Sequence, residues 1–515
     1  YLFAGTVFIG EYLFRRYRFK DHDHPSFIDY LCIVARANIR KFDMPGTSIP
    51  LIKHYTPNAA MIYCPQRGKT ETNKTLRATL TPSSQKGIIN QATFLSAAMA
   101  LAEKLPDHSH AINLCQDRSL FLLSFTAVLL RSMTNLLPPN RQQQTVIDIA
   151  SDYHDCFVIA DSAQDYQQLS IFRIDTLNCY HQTTDVTIPK PPLIEAEHIA
   201  AITFTSGSTG KPSANKKLWR TLVGTAARLA KRFLDKDTSP TIVATVPPQH
   251  MYGLEMTIMM ALQGRCSMAT GQPFYPQDIA TTLTAIPQPR FLITTPAHLR
   301  AIQGAAIDMP QVHCIISSTA PLAETLAADS ENLFQAQVKE IYGCTEAGSA
   351  ATRRTNATDE WLLLDGMQLN QHGDNIEISG PHLSTSIELQ DHLEILPDNR
   401  FRFLGRANDI LNVAGKRASL ADINQKLLDI DGVEDSVIFV PKCVNNKASR
   451  PAALVVSALS KRAILAALSQ QIDPIFLPRP LRKVSHLPRN ETGKLQHGIL
   501  EQLLLQEQQG ANTNE

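Results

Sequence analysis

Residues Ala200 to Lys211 read AAITFTSGSTGK, an apolar run followed at once by a loop of glycine and hydroxyl residues. The run 200–204 predicts a buried strand, and the loop 205–211 that leaves it carries only small side chains before its lysine. Backbone amides and hydroxyl groups of such a loop can surround phosphate oxygens, which a bulkier loop could not approach. The stretch therefore predicts an α/β protein with a triphosphate-binding loop at the end of one strand.

This loop differs from a Walker A loop, which requires the pattern G-x-x-x-x-G-K-[ST]. The residue five before Gly210 is Thr205, and Lys211 is followed by Pro212, so the pattern fails at two positions. A flexible Ser/Gly turn without a ligand is the alternative interpretation of such a loop taken alone.

On both sides of the loop, helical periods alternate with short apolar runs. We predict helices at 93–104 and 119–130, and strands at 110–115, 156–161, 200–204, 241–246, 290–294 and 313–317. Alternation of this kind is typical of α/β proteins with largely parallel sheets.

Changes in pattern along the chain predict three units. Residues 1–85 are expected to form an appendage and linker, because prolines interrupt them and a Thr/Ser-rich stretch ends them. Residues 86–404 are expected to form a large domain of mixed and parallel sheets with helices, including a small antiparallel β unit at 375–403. Residues 405–515 are expected to form a smaller α+β lid domain, whose first helix follows a capping box of Ser419 and Asp422.

Composition excludes several classes of function. Lys and Arg number 49 against 48 Asp and Glu, so the chain has no large net positive charge that would attract nucleic acid. The nine cysteines contain no C-x-x-C pair, which supports neither a zinc site nor a disulfide framework and favours reduced thiols in a cytoplasm.

The amino-terminal stretch Tyr1 to Phe14 is apolar except for Glu11 and is followed by four basic residues between 15 and 20. Since the chain begins with Tyr rather than Met, we expect its natural start to lie upstream. The order of apolar run and charges argues against a signal peptide, and fourteen residues fall short of the roughly 20 that span a bilayer. Two interpretations stay open: the end of a transmembrane helix at the cytoplasmic face of the inner membrane, or a buried helix with a solvated basic end.

Five further stretches, together with FTSGSTGKP, carry a resemblance to a known family. They are PPQHMYGLE (247–255), SSTAPL (317–322), IYGCTEAG (341–348), FLGRANDILNVAGKRASLADI (403–423) and PRNETGKLQ (488–496). In this order and at these spacings they resemble the motifs of the adenylate-forming superfamily of acyl-CoA synthetases, peptide-synthetase adenylation domains and luciferases, over residues 86 to the end. The resemblance implies activation of a carboxylic acid by ATP and Mg²⁺, followed by transfer of the acyl group to the pantetheine thiol of CoA or of an acyl carrier protein.

The resemblance also implies a set of site residues. The catalytic group would be Lys494, Thr345 and Glu346, with Glu346 as the Mg²⁺ ligand. Nucleotide would be bound by Thr205, Ser206, Gly207, Ser208, Thr209, Gly210, Lys211, Ser318, Thr319, Ala320, Tyr342, Gly343, Asp391 and Arg406. The acyl pocket would include His250, Tyr252 and Gly253, the hinge would be Asn408, and Gly415 would lie on the pantetheine path.

These assignments agree with the chemistry that adenylation requires. A carboxylate must approach the α-phosphate while pyrophosphate leaves, so two anions need a cation such as Lys494 and a metal between them. Mg²⁺ takes one or two carboxylates together with phosphate oxygens, a role open to Glu346. A carboxylate such as Asp391 can accept from both ribose hydroxyls.

The sequence departs from the family pattern at several positions. Ser213 stands where a second lysine is usual, with Lys216 and Lys217 as nearby substitutes. Asn408 replaces the common Asp or Lys of the hinge, and Leu389-Gln390 replaces the Thr-Gly before Asp391. These changes put the rate of the reaction in doubt.

The sequences TSGSTGKP and GRANDILNVAGKR, together with the segment GEYLFRRYRF (10–19), resemble those of the ligases of aryl polyene pigment pathways. This implies an aromatic starter acid and an acyl carrier protein as acceptor. A fatty acyl-CoA synthetase and a non-catalytic homologue that binds nucleotide or acyl-adenylate are the alternatives.

Overall fold

The computed structural model describes residues 47–64, 87–166, 169–175, 190–206, 212–373, 375–406, 410–413, 416–441, 450–489, 495 and 498–504. Within these ranges the chain builds two large sheets covered by helices, three small sheets and a carboxy-terminal α+β unit. The predicted α/β class is confirmed.

The first large sheet has six strands in the order β10-β9-β5-β4-β6-β7. Its strands are β4 (His110–Asn113), β5 (Thr134–Leu137), β6 (Cys156–Ala160), β7 (Ile171–Arg173), β9 (Ile199–Ser206) and β10 (Pro212–Leu218). Neighbouring strands are parallel except β10, which runs antiparallel to β9.

Helices cover both faces of this sheet: α1 (Gln91–Lys104), α2 (Arg118–Leu130) and α3 (Gln143–Asp152). Successive side chains of β4 point to opposite faces of the sheet. Ala111 packs in the same core cluster as α1 and α2, whereas Ile112 packs with α3. Side-chain caps begin two of these helices: Asn90 accepts from the Thr93 amide, and Asp117 accepts from the amide of Ser119.

The second large sheet has eleven strands in the order β21-β22-β17-β16-β15-β14-β13-β11-β12-β2-β3. Its strands are β2 (Ala60–Tyr63), β3 (Ile88–Asn90), β11 (Thr241–Ala244), β12 (Ser267–Ala269), β13 (Arg290–Thr294), β14 (Cys314–Ser317), β15 (Gln337–Cys344), β16 (Gly348–Arg353), β17 (Glu360–Leu363), β21 (Asp391–Leu396) and β22 (Arg400–Arg406). Strands β2, β12, β11, β13, β14 and β15 pair in parallel, and the remaining pairs are antiparallel.

Helices also cover this sheet on two faces. They are α4 (Trp219–Phe233), α5 (Met251–Gly253), a π-helical stretch (Leu254–Met259), α6 (Met260–Gln263), α7 (Pro276–Ala285), α8 (Pro296–Gly304) and α9 (Glu324–Phe334). One core cluster lies under α7, α8 and α9, while a larger cluster contains α4 and the segment 254–262 together with α1 and α2 of the first sheet. The two large sheets therefore share one apolar core.

Smaller sheets complete the chain. They are β1 (Ser48–Pro50) with β8 (Leu193–Glu195), β18 (Gln368–His372) with β19 (Asn375–Ser379) and β20 (Ile387–Leu389), and β23 (Ile410–Val413) with β24 (Lys416–Ser419). The carboxy-terminal unit adds α10 (Leu420–Leu428), β25 (Val433–Phe439), β26 (Ala452–Ser457), α11 (Lys461–Ser469), a 3₁₀ turn (Pro474–Phe476) and β27 (Leu481–Lys483).

The predicted elements of the large domain are confirmed, with ends that shift by a few residues. The N-cap role predicted for Ser419 is confirmed as well, because its hydroxyl accepts from the Asp422 amide at 3.4 Å at the start of α10. The antiparallel unit predicted at 375–403 is divided: β19 and β20 belong to a three-stranded sheet, whereas β21 and β22 form an edge of the eleven-stranded sheet.

The expectation of an appendage over residues 1–85 is wrong for the described part of that range. Strand β2 lies inside the large sheet between β12 and β3, and Met61 and Ile62 are completely buried. A strand of four residues flanked by proline-rich turns carries little local signal, and its partner β12 follows about 200 residues later. The stretch Tyr1 to Phe14, for which two interpretations were left open, lies outside the described residues.

None of the helices in the described ranges is long and apolar enough to cross a membrane.

Candidate active site

Three predicted nucleotide-binding segments meet at the carboxyl ends of β14 and β15. The Ser318 hydroxyl, one residue beyond β14, donates to the backbone carbonyl of Ile341 at 2.8 Å. The next residue along β15 is Tyr342, whose phenol donates to Oδ2 of Asp391 at 2.6 Å. Ligands of open α/β sheets bind at this edge, outside the carboxyl ends of the strands.

The backbone of the turn after β14 is unusual. Thr319 has a φ of 82°, a conformation that residues with a side chain rarely adopt. Such conformations occur preferentially at binding sites and active sites, where the surrounding structure maintains them. Thr319 and Ala320 remain predictions as nucleotide contacts.

Asp391 is the first residue of β21 and pairs across the ladder with Arg406, the last residue of β22. This pairing explains how the predicted ribose-binding carboxylate and the predicted arginine come to one place. The side chain of Arg406 lies outside the described residues. The Tyr342 ring also contacts the rings of Trp361, Phe401 and Phe403. These aromatic contacts fix the orientation of the ring, while its hydroxyl bonds to Asp391.

Thr345 and Glu346 lie on the short loop between β15 and β16, where Cys344 pairs with Gly348. Gly348 has a φ of +75°, as expected for a three-residue hairpin loop that ends in the left-handed region. Glu346 is exposed at this loop and Thr345 is half-buried. The carboxylate of Glu346 is therefore accessible to a metal and its phosphate ligands.

Gly343 allows the hairpin to close. A Cβ atom at this position would lie 2.3 Å from the carbonyl oxygen of Gly348, closer than real contacts allow. The close approach of the two strands explains the glycine in this part of the motif, beside a register shift between Tyr342 and Gly343.

The segment 247–255 packs tightly against the same strand ends. The Tyr252 phenol is buried and donates to the backbone carbonyl of Ile316 at 2.7 Å, and it also lies 3.3 Å from that of Thr294. A Cβ on Gly253 would lie 1.9 Å from the Pro247 carbonyl oxygen. Tyr252 and Gly253 thus have structural roles that the sequence did not indicate, and their contact with an acid stays a prediction, as does that of half-buried His250.

A buried carboxylate lies behind the hairpin loop. Glu255 is 1% exposed, and its Oε2 accepts from the amide of Ser349 at 3.0 Å and from the hydroxyl of Ser349 at 2.5 Å. Burial raises the pKa of Glu255 to about 7, although the bonds from Ser349 and the charge of Lys217 act in the opposite direction.

Lys217 meets the same loop from the other large sheet. It is 3% exposed, and its Nζ donates to the backbone carbonyl of Glu346 at 2.7 Å. Burial lowers the pKa of Lys217, against the charges of Glu255, Cys344 and Glu346. The ammonium group of Lys217 is thus bound to the hairpin loop, whereas Lys216 is exposed. The suggestion that one of them substitutes for the second lysine of the phosphate loop stays a prediction.

A second buried cation supports the residues before the predicted acyl segment. Arg118 is 1% exposed, and its Nη2 donates to the carbonyls of Ala244 at 2.8 Å and Val246 at 3.0 Å. Sequence periodicity could not identify it, because Arg118 stands at the beginning of a helix, where a charged residue is ordinarily exposed.

Several predicted residues lie outside the described ranges: Gly207, Ser208, Thr209, Gly210, Lys211, Asn408, Gly415 and Lys494. The loop that contains 207–211 is bounded by Ser206 and Pro212, which face each other across the β9–β10 pair. Thr205 and Ser206 are the last residues of β9, and Pro212 is the first residue of β10.

A comparison with protein families decides the affiliation. The model described as AMP-binding enzyme matches residues 101–399, which include the strand ends described above. The chain belongs to this family. It is accordingly an AMP-binding enzyme, and the match covers the predicted signature from the phosphate loop to Asp391.

Characterised relatives include two ligases of aromatic acids. The 3,4-dihydroxybenzoate–[aryl-carrier protein] ligase of Bacillus anthracis is 22% identical over 62% of this chain and 78% of its own length. The 4-coumarate–CoA ligase of Halorhodospira halophila is 29% identical over 58% of this chain and 76% of its own length.

Among solved structures, o-succinylbenzoate CoA synthetase of Bacillus subtilis, in complex with its acyl-adenylate intermediate OSB-AMP, is similar with a TM-score of 0.70. The likeness covers 88% of this chain and 98% of that one at 15% identity. At this identity the likeness shows the fold of the AMP-binding enzymes.

Proposed function

We propose that this AMP-binding enzyme activates an aromatic carboxylic acid as an acyl-adenylate and transfers the aromatic acyl group to the pantetheine thiol of an acyl carrier protein. In the first step a carboxylate oxygen attacks the α-phosphorus of ATP, and pyrophosphate leaves. In the second step the thiol, after losing its proton, attacks the carbonyl carbon of the adenylate and AMP leaves.

The observation that carries this proposal is the hydrogen-bonded series from Ser318 through Ile341 and Tyr342 to Asp391. Three separate stretches of sequence, each proposed to bind the nucleotide, meet at two adjacent residues of β15, Ile341 and Tyr342. In this arrangement Oδ2 of Asp391 is oriented by Tyr342, and its other oxygen can accept from a ribose hydroxyl.

The hairpin loop beside this series fits a magnesium ion. Mg²⁺ uses one or two carboxylates and completes its shell with phosphate oxygens and water, so a single accessible glutamate suffices. Glu346 offers such a carboxylate, and no cluster of three or more His, Cys, Asp or Glu able to hold a metal occurs in the described ranges. When bound, the ion would neutralise charge on the phosphates of ATP.

The remaining residues of the proposed machinery act on the charges of the reaction. Lys494 is proposed to neutralise the carboxylate and an α-phosphate oxygen, and Thr345 is proposed to donate to the α-phosphate. Residues 207–211 are proposed to enclose the β- and γ-phosphates, and Arg406 to contact hydroxyl or phosphate oxygens. Rotation of the carboxy-terminal unit near Asn408 would then bring Gly415 to the pantetheine path.

Two characterised relatives support an aromatic substrate, since they are a 3,4-dihydroxybenzoate ligase and a 4-coumarate ligase. The first uses an aryl-carrier protein and the second uses CoA, so both acceptors are represented. We propose the carrier protein, in a biosynthesis of the aryl polyene type, because the motif versions resemble those ligases. A fatty acyl-CoA synthetase and a non-catalytic homologue are the competing hypotheses.

The first experiment is acid-dependent exchange of labelled pyrophosphate into ATP in the presence of Mg²⁺, with hydroxybenzoates, cinnamates and medium-chain fatty acids. We expect exchange with an aromatic acid and a loss of at least about a hundredfold in Lys494→Ala and Glu346→Gln. Glu388→Gln, at an exposed glutamate on β20, is the matched control and should retain wild-type exchange. Exchange with fatty acids alone would reject the aromatic substrate, and exchange with no acid would favour the non-catalytic hypothesis.

The acceptor requires a second experiment. Purified enzyme, the acid that supports exchange, ATP and either CoA or a phosphopantetheinylated carrier protein are incubated, and the thioester is detected by mass spectrometry. We expect acylation of the carrier protein at lower acceptor concentration than formation of the CoA thioester. The opposite preference would assign the chain to the CoA ligases.

A further inference from the structure

Strand β10 presents two consecutive lysines to opposite sides. Lys216 is exposed, whereas Lys217 is 3% exposed and packs beneath the hairpin loop between β15 and β16. Alternation along a strand requires this difference, because successive side chains point to opposite faces. The chain therefore buries one ammonium group and leaves an almost identical one in solvent.

The buried ammonium group connects the two large sheets at the residue that is proposed to bind magnesium. Lys217 belongs to the six-stranded sheet, and its Nζ donates 2.7 Å to the main-chain carbonyl of Glu346, in the loop of the eleven-stranded sheet. The contact is to the backbone, so it leaves the carboxylate of Glu346 available at the exposed side of the loop.

Glu255 holds the other end of the same loop. Its Oε2 accepts from the amide and hydroxyl of Ser349. Its Oε1 lies so close to Gly348 that a Cβ atom added to this glycine would be only 2.4 Å away. Glu255 comes from the π-helical stretch that follows the predicted acyl segment. The loop from Cys344 to Gly348 is therefore fixed from two sides by charged groups of two other elements.

Stability alone does not account for these two groups. Burying an ammonium group or a carboxylate is costly even when the charges attract one another, and an apolar pair of similar volume is often at least as stable. The ammonium of Lys217 has one hydrogen bond within the described ranges, and Oε1 of Glu255 has none. Because the two buried groups contribute little net stability, their presence is better explained by the orientation that they impose on the loop.

We infer that Lys217 and Glu255 are positioning residues, which fix the backbone of the Cys344–Gly348 loop so that Thr345 and Glu346 meet the phosphates of ATP in the adenylation step. This inference rests on the proposed function. Lys217 acts through the Glu346 carbonyl, and Glu255 acts through Ser349. A displacement of about 1 Å at reacting groups can reduce rates by a hundredfold, so loss of either group should affect turnover more than substrate binding.

The test is Lys217→Met, which keeps the length and apolar stem of the side chain and removes the donor. Lys236→Met, at an exposed lysine outside the proposed site, is the matched control. Pyrophosphate exchange is measured as a function of acid, ATP and Mg²⁺ concentration, and the melting temperature is recorded for each variant. We expect Lys217→Met to lower kcat for exchange about ten- to a hundredfold and to raise the Mg²⁺ concentration for half-maximal rate, with KM for the acid within about twofold of wild type.

Two further variants keep the inference falsifiable if Lys217→Met does not fold. Glu255→Met removes the acceptor for Ser349 and keeps a side chain of similar length, and it should lower kcat in the same direction. Lys217→Arg retains a donor and should recover part of the lost rate. A folded Lys217→Met with wild-type kcat and wild-type Mg²⁺ dependence would overturn the inference, as would an equal loss in Lys236→Met.

Failure of the proposed function has a different signature. If wild-type protein supports no exchange with any acid, calorimetric titration of ATP with and without Mg²⁺ replaces the kinetic measurement. A Mg²⁺-dependent affinity that is lowered at least about fivefold in Lys217→Met supports the positioning role even then. An affinity that is the same in both proteins, or independent of Mg²⁺ in wild type, rejects it.

Discussion

The phenol of Tyr342 donates a 2.6 Å hydrogen bond to Oδ2 of Asp391, 49 residues further along the chain. One residue belongs to the IYGCTEAG stretch on β15, and the other is the first residue of the edge strand β21. The bond joins two sides of the proposed nucleotide site and orients the carboxylate of Asp391.

Removing the phenol oxygen should therefore weaken nucleotide binding more than catalysis. In Tyr342→Phe the ring contacts persist, while Asp391 loses a donor worth about 1.5 to 3 kcal/mol when the acceptor is charged. We expect KM for ATP in pyrophosphate exchange to rise about three- to tenfold, with little change in kcat. Tyr166→Phe, which removes a phenol bonded to the Arg141 carbonyl at 3.2 Å, is the control; an unchanged KM in Tyr342→Phe would contradict the role of this bond.

Gly348→Ala should destabilise the protein for two separable reasons. Its φ of +75° is unfavourable for alanine by about 1 to 2 kcal/mol, and the new Cβ would approach Oε1 of Glu255 to 2.4 Å. Gly373→Ala is the matched control, because its φ is +62° and no atom lies within 4 Å of the new Cβ. Urea unfolding should show a larger loss for Gly348→Ala, and equal losses would indicate that Glu255 moves aside without cost.

Strand β2 should be essential to the large domain. Ile62 is completely buried between β12 and β3, so Ile62→Ala is expected to lower the free energy of unfolding by about 2 to 5 kcal/mol. Ile395→Ala, at a side chain that is 39% exposed, should cost less than about 1 kcal/mol. Equal effects in denaturant titrations would mean that residues 60–63 are dispensable, as an appendage would be.

His382 should make stability depend on pH. Its side chain is 5% exposed, neither ring nitrogen has a hydrogen-bond partner in the described ranges, and burial, with Arg228 and Arg220, lowers its pKa to about 4. Because the folded state keeps the ring neutral, its contribution to stability is complete above pH 6.5 and is lost as the pH falls towards 4.

The substitution His382→Leu removes this titration. Between pH 7 and pH 4.5 we expect the variant to lose about 1 to 2 kcal/mol less unfolding free energy than wild type, measured by urea titration at each pH. Parallel pH profiles for the two proteins would show that the ring is protonated in the folded state. His372→Leu, at an exposed position, should follow wild type.

Much of the fold and of the candidate site could be predicted because the information is local. The helices at 91–104 and 118–130 follow from apolar periodicity and capping residues, and the parallel strands follow from short apolar runs between them. The motif at 341–348 placed Tyr342, Gly343, Thr345 and Glu346 in one stretch, and the structure places that stretch on a strand and its hairpin loop.

Other features depend on partners that are distant in sequence. A four-residue strand between prolines gives no local sign that it pairs with β12, and the split of β19–β20 from β21–β22 depends on which sheet offers a free edge. The roles of Tyr252 and Gly253 in packing follow from the position of β13 and β14, which periodicity does not contain.

The sequence by itself determined the α/β class, the order of the motifs and the residue types that adenylation needs, because each of these is set by side-chain chemistry within a short window. Only the tertiary structure decided which of the adjacent lysines 216 and 217 is buried, which buried carboxylate lies near it, and that Tyr342 orients Asp391. The physical reason is that a strand can present either face to the core, and the choice depends on the sheet that packs against it.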